Sequence, residues 1–337
     1  MIIIKVDIIG GSLGGLSTAI SLKQHNKSID VIVHEKYKTI GYNHEGRRCG
    51  EAFDSRNEWV KWKPVGKSIF NNITKFETRV GHKNYVLTGN FVVLNRQEYI
   101  CQLAREAESL GVMIKTDDMI KSINELDGDY IVDASGCPSV IKRELDLNKG
   151  IKGVVYQQTL EDCNRFVSNT LQIILTDYAT GYFWIFPRNP EKKEVNLGVG
   201  FLRETNYQLK ETLEKFKKEQ GIKGKVNYTV GGLIPVGLQR PIQYKNILFI
   251  GDAGVGTFPL YGEGIYRALI SGDIAGYCLA SGHPGWYTKK IYQKFIGWDV
   301  AGKTFIRLTS VLNKIGRRSL FAIYHLYLDM IYGFRII

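Results

Sequence analysis

A glycine-rich turn near the N-terminus is the first feature whose residue types and spacing point to chemistry. The stretch 10–15 reads Gly-Gly-Ser-Leu-Gly-Gly and lies between an apolar run and a segment with helical apolar spacing. In a dinucleotide-binding turn the first glycine allows the tight bend, the second lets the backbone approach a pyrophosphate, and the third lets helix and strand pack closely. Gly10 and Gly15 hold the first and third places, and Ser12 holds the second. We therefore predict a phosphate site at the N-terminus of this helix, with Leu13 and Gly14 also in contact with the ligand.

An acidic residue follows the turn at the distance that a ribose-binding residue requires. Val6–Ile9 and Ile29–Val33 are short apolar strands on either side of the helix, and Glu35 follows the second strand. A carboxylate at this point can accept hydrogen bonds from ribose hydroxyls. Strand, glycine turn, helix and strand form a βαβ unit, so dinucleotide binding is favoured over a turn that is merely tight.

The irregular segment 36–56 contains a second dense polar group, Arg48-Cys49-Gly50-Glu51. A thiol and a carboxyl can hold or move protons, and a guanidinium matches the geometry of a phosphate. We interpret this segment as a functional loop. A buried inert cysteine and a solvated arginine are the alternatives.

Three later segments extend the candidate nucleotide site. Asn95 and Glu98 have capping-box spacing at the start of a helix over 95–111, in which Arg96 comes first. A buried strand at 130–132 enters Asp133-Ala134-Ser135-Gly136. Another buried strand enters Gly251-Asp252, and Pro259-Leu-Tyr-Gly262-Glu263-Gly264-Ile265 then leads into a helix over about 262–280.

The order of these segments resembles that of the p-hydroxybenzoate hydroxylase-like flavoprotein superfamily. Phe249–Gly254 with 259–265 is similar to its late FAD motif, in which the aspartate contacts the ribityl chain and the following glycines open a helix toward the flavin ring. The resemblance therefore implies FAD as the cofactor. The residues that it adds as cofactor contacts are Arg48, Cys49, Gly50, Arg96, Ala134, Gly136, Gly251, Asp252, Pro259, Gly262, Gly264 and Ile265.

A narrower resemblance is to the geranylgeranyl reductase family, in particular archaeal-type digeranylgeranylglycerophospholipid reductases. It covers about residues 3–285. The motifs that carry it are Arg48-Cys49-Gly50-Glu51, the aromatic segment Tyr182-Phe183-Trp184-Ile185-Phe186-Pro187, Asn196–Gly200 and Gly232–Pro235. It implies an FAD-dependent oxidoreductase acting on CH–CH groups, which saturates C=C bonds in prenyl chains of lipids, prenyl diphosphates or quinones.

Such a reduction needs a hydride at one carbon and a proton at the other, in a site that excludes water. Reduced flavin supplies the hydride from N5. By the resemblance, Cys49, Glu51, Tyr182 and Trp184 are the catalytic candidates. The expected walls of an apolar substrate tunnel are Tyr182, Trp184, Phe186, Phe201, Phe258 and Tyr261. Because the sequence contains no second nucleotide fingerprint, the flavin must be reduced by transiently bound NAD(P)H or by another electron donor.

The pattern of elements predicts an α/β fold. A Rossmann-type FAD-binding domain (1–56, 93–150 and 240–285) is interleaved with an antiparallel-sheet substrate domain (57–92 and 151–239), and a helical segment (286–337) follows. Short alternating strands over 151–235, interrupted by an amphipathic helix at about 205–219, indicate the antiparallel sheet. Gly272 and Gly276 leave the 262–280 helix a smooth face for close packing.

Composition sets the remaining expectations. The net charge of +12 favours anionic partners, yet no nucleic-acid module is recognisable. Five widely spaced cysteines argue against a metal site or a secreted disulfide framework, which favours a cytoplasmic protein. The basic, aromatic tail from Arg317 to Ile337 could rest on an anionic membrane, or cover the core or a dimer contact. The rival functions are a flavin-dependent monooxygenase or halogenase, and a non-catalytic prenyl-lipid-binding flavoprotein.

Overall fold

The computed structural model describes residues 4–41, 50–54, 58–147, 150–177, 179–203 and 208–333. They form a mixed α/β fold around two sheets, as the sequence predicts. The proposed division of the chain into domains stays a prediction.

The first sheet has six strands and carries the nucleotide-binding turn. In spatial order its strands are β13 (Gln243–Tyr244), β14 (Ile247–Phe249), β7 (Tyr130–Asp133), β1 (Lys5–Ile9), β2 (Asp30–His34) and β6 (Met113–Lys115). All neighbours pair in parallel except β13 and β14. In the register, Ile9 lies between His34 and Asp133, so the carboxyl ends of β1, β2 and β7 meet at one edge.

Three helices cover this sheet at the nucleotide edge. They are α1 (Leu13–His25), α2 (Arg96–Ser109) and α5 (Ile265–Ala280). Asn95 caps α2 as expected, since its side chain accepts from the Glu98 N–H at 3.4 Å. Helices α1 and α5 touch backbone to backbone, because a Cβ at Gly272 or Gly276 would overlap α1. The smooth glycine face expected on α5 is therefore confirmed. A short helix α3 (Val140–Glu144) follows β7.

The second sheet has eight strands. In spatial order they are β12 (Lys225–Pro235), β8 (Lys152–Glu161), β11 (Glu194–Phe201), β10 (Gly181–Asn189), β9 (Thr170–Leu175), β4 (Ile69–Val80), β5 (Lys83–Leu94) and β3 (Ala52–Asp54). Pairing is antiparallel except between β4 and β9. Helix α4 (Leu209–Glu219) packs on one face of this sheet through Leu213 and Phe216.

Side-chain alternation divides β10 between two hydrophobic layers. Phe183 and Ile185 pack with α4, whereas Tyr182, Trp184 and Phe186 point to the opposite face, since successive residues of a strand face opposite sides. This opposite face is the one turned toward the candidate site.

Two helices end the described chain, α6 (Trp286–Ile315) and α7 (Arg317–Gly333). Helix α7 closes one end of the second sheet, where Leu320, Tyr324 and Leu328 pack on Val80 and Tyr85. Among the described residues, none of the helices combines the length and the apolar character that crossing a membrane requires.

Candidate active site

A large cavity connects the nucleotide edge of the first sheet with the aromatic face of the second. Its volume is about 2060 Å³, which exceeds the ~300–1,000 Å³ of an ordinary ligand pocket. It therefore has room for a dinucleotide and a second ligand. The sequence-predicted residues that line it are Gly10, Ser12, Leu13, Gly14, Glu35, Gly50, Glu51, Arg96, Ala134, Gly136, Tyr182, Trp184, Phe186, Gly251, Asp252, Phe258, Tyr261, Gly262, Gly264 and Ile265.

The glycine turn has the shape that a pyrophosphate requires. Gly10 has φ +101°, donates to the His34 carbonyl at 2.9 Å, and leaves no space for a Cβ, which would lie 2.6 Å from the Ala134 oxygen. Ser12 is the N-cap of α1, and within the described structure its hydroxyl makes no capping bond. Because Ser12, Leu13 and Gly14 line the cavity, the free N–H groups of this helix end are available to an anion.

Gly15 serves packing and does not line the cavity. A Cβ there would overlap the Gly10 carbonyl oxygen, so helix and turn approach more closely than any other residue allows. This close packing is the role of the third glycine in a dinucleotide turn, so we expect Gly15 to act on the cofactor indirectly, through the position of the turn.

Glu35 lines the cavity beside the glycine turn and also holds the turn in place. Its Oε2 accepts from the Gly11 N–H at 2.8 Å and its Oε1 from the Tyr37 N–H at 3.0 Å. Each carboxylate oxygen can accept a further bond, so the geometry remains compatible with a ribose hydroxyl.

The loop before α5 places two carboxyl groups in the cavity wall. Burial raises the pKa of Asp252, while the charges of Arg96 and Arg267 oppose the rise. Burial also raises the pKa of Glu263 to about 7, although its Oε1 accepts from the Tyr266 N–H at 2.7 Å. Glu263 is thus a titratable group on residues 257–264, which we call the flavin loop. The sequence interpretation passed it over, although it lies inside a quoted motif.

Arg267 is a further residue that the sequence interpretation missed. It is 1% exposed, and its guanidinium donates to the carbonyls of Gly256 at 2.9 Å and Val255 at 2.7 Å. Burial lowers its pKa to about 10. By donating to these two carbonyls, Arg267 fixes the 255–256 turn, which lies next to the flavin loop. Arg267 therefore stabilises the position of that loop.

The aromatic face of β10 forms the opposite wall. The Tyr182 hydroxyl donates to the Tyr261 carbonyl, which ties this strand to the flavin loop, and burial raises the pKa of Tyr182. The Trp184 indole N–H donates to Gln157 Oε1 at 3.1 Å. A Cβ at Gly50 would lie 2.9 Å from the Phe186 ring, so the end of the Arg48–Glu51 segment touches this wall directly.

Two of the expected contacts lie elsewhere. Phe201 does not line the cavity: it packs with Leu197 and Val199 on the α4 side of the second sheet, because β11 alternates and Gly198 and Gly200 take the cavity side. Pro259 packs against α6 at Gly302 and is also absent from the cavity wall. Neither residue is therefore kept among the proposed direct contacts.

Glu51 is part of a buried ionic cluster. Arg188 Nε donates to Glu51 Oε2 at 2.6 Å, and Arg188 Nη1 donates to Glu194. Glu51 is 3% exposed and adopts φ +60°, a left-handed conformation that is strained for a side chain of its size. The ion pair therefore anchors a strained residue at the point where the loop rejoins the sheet. Arg48 and Cys49 lie outside the described residues.

These features fit a dinucleotide such as FAD. The glycine turn, the free helix end and the acidic Glu35 match the pyrophosphate and ribose of a dinucleotide. In the described ranges, no group of three or more His, Cys, Asp or Glu side chains could hold a metal ion.

Fold and site together define a Rossmann-type flavoprotein with an antiparallel sheet that faces the same cavity. The structure is similar to a geranylgeranyl bacteriochlorophyll reductase-like protein from Thermoplasma acidophilum, with TM-score 0.80, 19% identity, and 95% of this chain and 90% of that chain covered. It is also similar to the flavin-dependent halogenase CmlS, with TM-score 0.68, 15% identity, and 91% and 66% covered.

Sequence comparison narrows the class. Residues 152–233 match the family described as geranylgeranyl reductase catalytic domain. The chain is 27% identical over 310 residues to the digeranylgeranylglycerophospholipid reductase of Methanocella arvoryzae, covering 81% of this chain and 75% of that protein. It is 26% identical over 317 residues to that of Sulfolobus acidocaldarius, covering 81% and 67%. The resemblance predicted from the sequence is confirmed: over most of its length the chain is similar to geranylgeranyl reductases, and it is an oxidoreductase.

Proposed function

We propose that this protein is an FAD-dependent reductase that saturates C=C bonds of geranylgeranyl chains in membrane-lipid precursors. The observation that carries the proposal is that one cavity joins the glycine turn and the flavin loop to the face formed by Tyr182, Trp184 and Phe186. The match of residues 152–233 to a geranylgeranyl reductase catalytic domain supports the same substrate class.

The second sheet supplies the apolar part of the cavity. Phe76, Leu87, Leu171 and Ile173 line it beyond the aromatic face of β10. An apolar chain gains stability when it leaves water for such a surface, at ~25 cal/mol per Å² buried. When bound, FAD would supply the hydride from its reduced ring, and the protein would orient the chain and keep water out.

We propose the following cofactor contacts. Gly10, Ser12 and Gly14 would hold the pyrophosphate at the α1 terminus, and Glu35 the ribose. The loop from Gly251 to Ile265 would lie along the ribityl chain and the flavin ring. The proposal includes two further points. FAD is reduced by NAD(P)H or by another donor, and prenyl diphosphates or prenylated quinones also serve as substrates.

The test begins with purified protein whose absorbance shows bound FAD. The flavin is reduced chemically without oxygen, and a geranylgeranylated glycerolipid is added. Mass spectrometry is expected to show product that is heavier by two hydrogens for each bond reduced, together with flavin reoxidation. The same reaction with Cys49→Ala then tests the loop thiol. A flavin that stays reduced with unchanged lipid would refute the proposal. An oxygenated or halogenated product after admission of air would instead support a flavin-dependent monooxygenase or halogenase.

Contact with an anionic membrane surface is a second part of the proposal. Helix α6 carries six Lys and Arg residues and one acidic residue, the buried Asp299. Trp298, Val311 and Ile315 are exposed on the same helix, at 60%, 58% and 69%. Trp298 also lines the cavity, so a lipid chain could pass from a bilayer at this helix into the cavity.

Vesicle sedimentation tests this contact. The protein is expected to sediment with vesicles that contain an anionic phospholipid and to stay in solution with purely zwitterionic vesicles. The double variant Val311→Asp with Ile315→Asp should abolish sedimentation. Val167→Asp, which changes an exposed residue just before β9 of the second sheet, should not. Equal loss in the control variant would contradict a specific role of α6.

A further inference from the structure

One amide in the cavity wall has a hydrogen-bonding group without a partner. Gln157 lies on β8, is 3% exposed, and lines the cavity. Its Oε1 accepts from the Trp184 indole N–H at 3.1 Å, which orients the amide, because an indole only donates. Its Nε2 is buried and finds no partner among the residues that the structure describes.

A buried donor left unpaired is costly, so each one in a native protein calls for an explanation. Val155, two residues away on the same face of β8, and Trp184 also line the cavity, and neither side chain offers a strong acceptor. A ligand that brings an oxygen to this point would complete the pairing.

The position of Gln157 relative to the cavity opening indicates which part of a ligand brings that oxygen. Gln157 pairs in register with Val230 on β12, the edge strand of the second sheet. Gly231, Gly232 and Leu233 on this strand are exposed and also line the cavity, so the cavity is open at this edge. Polar side chains, including Asn227 and Lys192, line the same side.

We propose that the Gln157 amide donates a hydrogen bond to the oxygen at the head of a prenyl substrate. The inference rests on the proposed function, since it takes the ligand to be a prenyl chain. A prenyl chain has its polar atom at the head, where an ether, ester or hydroxyl oxygen joins it. Gln157 therefore sets the register of the chain: the head lies at the β12 edge and the double bonds extend along the aromatic face of β10.

Binding measurements test this without requiring turnover. The probes are phytanol and phytane, two saturated molecules with the same branched skeleton, of which only phytanol carries the head oxygen. Wild-type protein with FAD bound is expected to bind phytanol more tightly than phytane, as followed by quenching of tryptophan fluorescence. Gln157→Met should weaken phytanol binding about 3- to 10-fold, the worth of one neutral hydrogen bond, and leave phytane binding unchanged.

A matched control variant keeps the test interpretable. Gln158→Met changes the next residue of the same strand, whose side chain contacts Glu214 and Lys217 on α4. This variant should bind both probes as the wild type does.

The outcomes separate the possible acceptors. Equal weakening of both probes by Gln157→Met would overturn the inference, as would wild-type protein that does not distinguish them. A shift in the flavin absorbance or reduction potential, with phytanol affinity unchanged, would assign the amide to the flavin and also overturn it. If the probes bind as expected and reduced flavin still leaves geranylgeranyl lipid unchanged, the proposed reaction fails while the head site stands.

Discussion

The indole ring of Trp184 lies directly over Gly198 on the neighbouring strand, and a Cβ at Gly198 would overlap ring atoms Cζ2 and Cε2. Gly200 also faces this ring, with Cζ3 at 3.4 Å from the position of its Cβ. These two glycines let a large aromatic side chain lie flat on the sheet and still leave the cavity open. The Gly-Val-Gly segment of β11 is thus the structural counterpart of the aromatic motif on β10.

Gly198→Ala should therefore displace Trp184 into the cavity. We expect a loss of stability of about 1–3 kcal/mol, as for other overpacked sites, together with weaker prenyl binding. Thermal unfolding and tryptophan fluorescence measure the two effects. Gly285→Ala is the control, because a Cβ there meets nothing within 4 Å and Gly285 does not line the cavity. Equal stability of Gly198→Ala and the wild type would mean that the ring has room to move aside.

Breaking the cluster of Arg188, Glu51 and Glu194 should be costly. Arg188→Met leaves two buried carboxylates without their cation, so we expect a loss of about 3–5 kcal/mol in the free energy of unfolding. Denaturant titration measures it. Lys83→Met is the control: Lys83 and its partner Asp329 are about half exposed, and such surface pairs contribute ~0–1 kcal/mol. Similar losses in the two variants would contradict the importance of burial at Arg188.

Much of this fold could be predicted because its signals are local. The glycine turn with flanking apolar runs identified β1, α1 and β2, and alternating short strands identified the second sheet. The aromatic motif on β10 was also visible as a group, since Tyr182, Trp184 and Phe186 are two residues apart and must share a face.

The missed residues depend on tertiary contacts. Gln157 gains its role only when Trp184 of β10 reaches across β11 to β8, and Arg267 only when α5 meets the 255–256 turn. No local pattern marks either residue. The position of Phe201 could have been predicted in part. On β11 the apolar residues Leu197, Val199 and Phe201 alternate with Gly198 and Gly200, which already assigns Phe201 to the opposite face from the glycines.

Gly272→Ala should weaken FAD binding from a distance. A Cβ at Gly272 would overlap Ser17 Oγ, and its next neighbour is the Gly14 carbonyl, so the substitution pushes α1 and its phosphate-binding end away from α5. We expect a lower fraction of bound FAD and a loss of stability of about 1–3 kcal/mol. Absorbance after gel filtration reports the bound flavin. Gly285→Ala, where a Cβ meets nothing within 4 Å, should retain FAD fully.

Glu263 should make the stability of the protein depend on pH in the neutral range. Its pKa is raised from 4.5 to about 7, so between these values the folded state binds more protons than the unfolded state. The free energy of unfolding must therefore fall as pH rises from about 4.5 to 7, and the destabilisation is complete above that range. Glu263→Gln keeps an acceptor for the Tyr266 N–H and removes the charge. Denaturant titrations of FAD-free protein should find the variant similar to the wild type near pH 5 and more stable by about 1–2 kcal/mol at pH 8. A constant difference across this range would show that the Glu263 carboxyl does not titrate there, and a lower stability of the variant at pH 8 would show that the ionised carboxylate instead stabilises the start of α5.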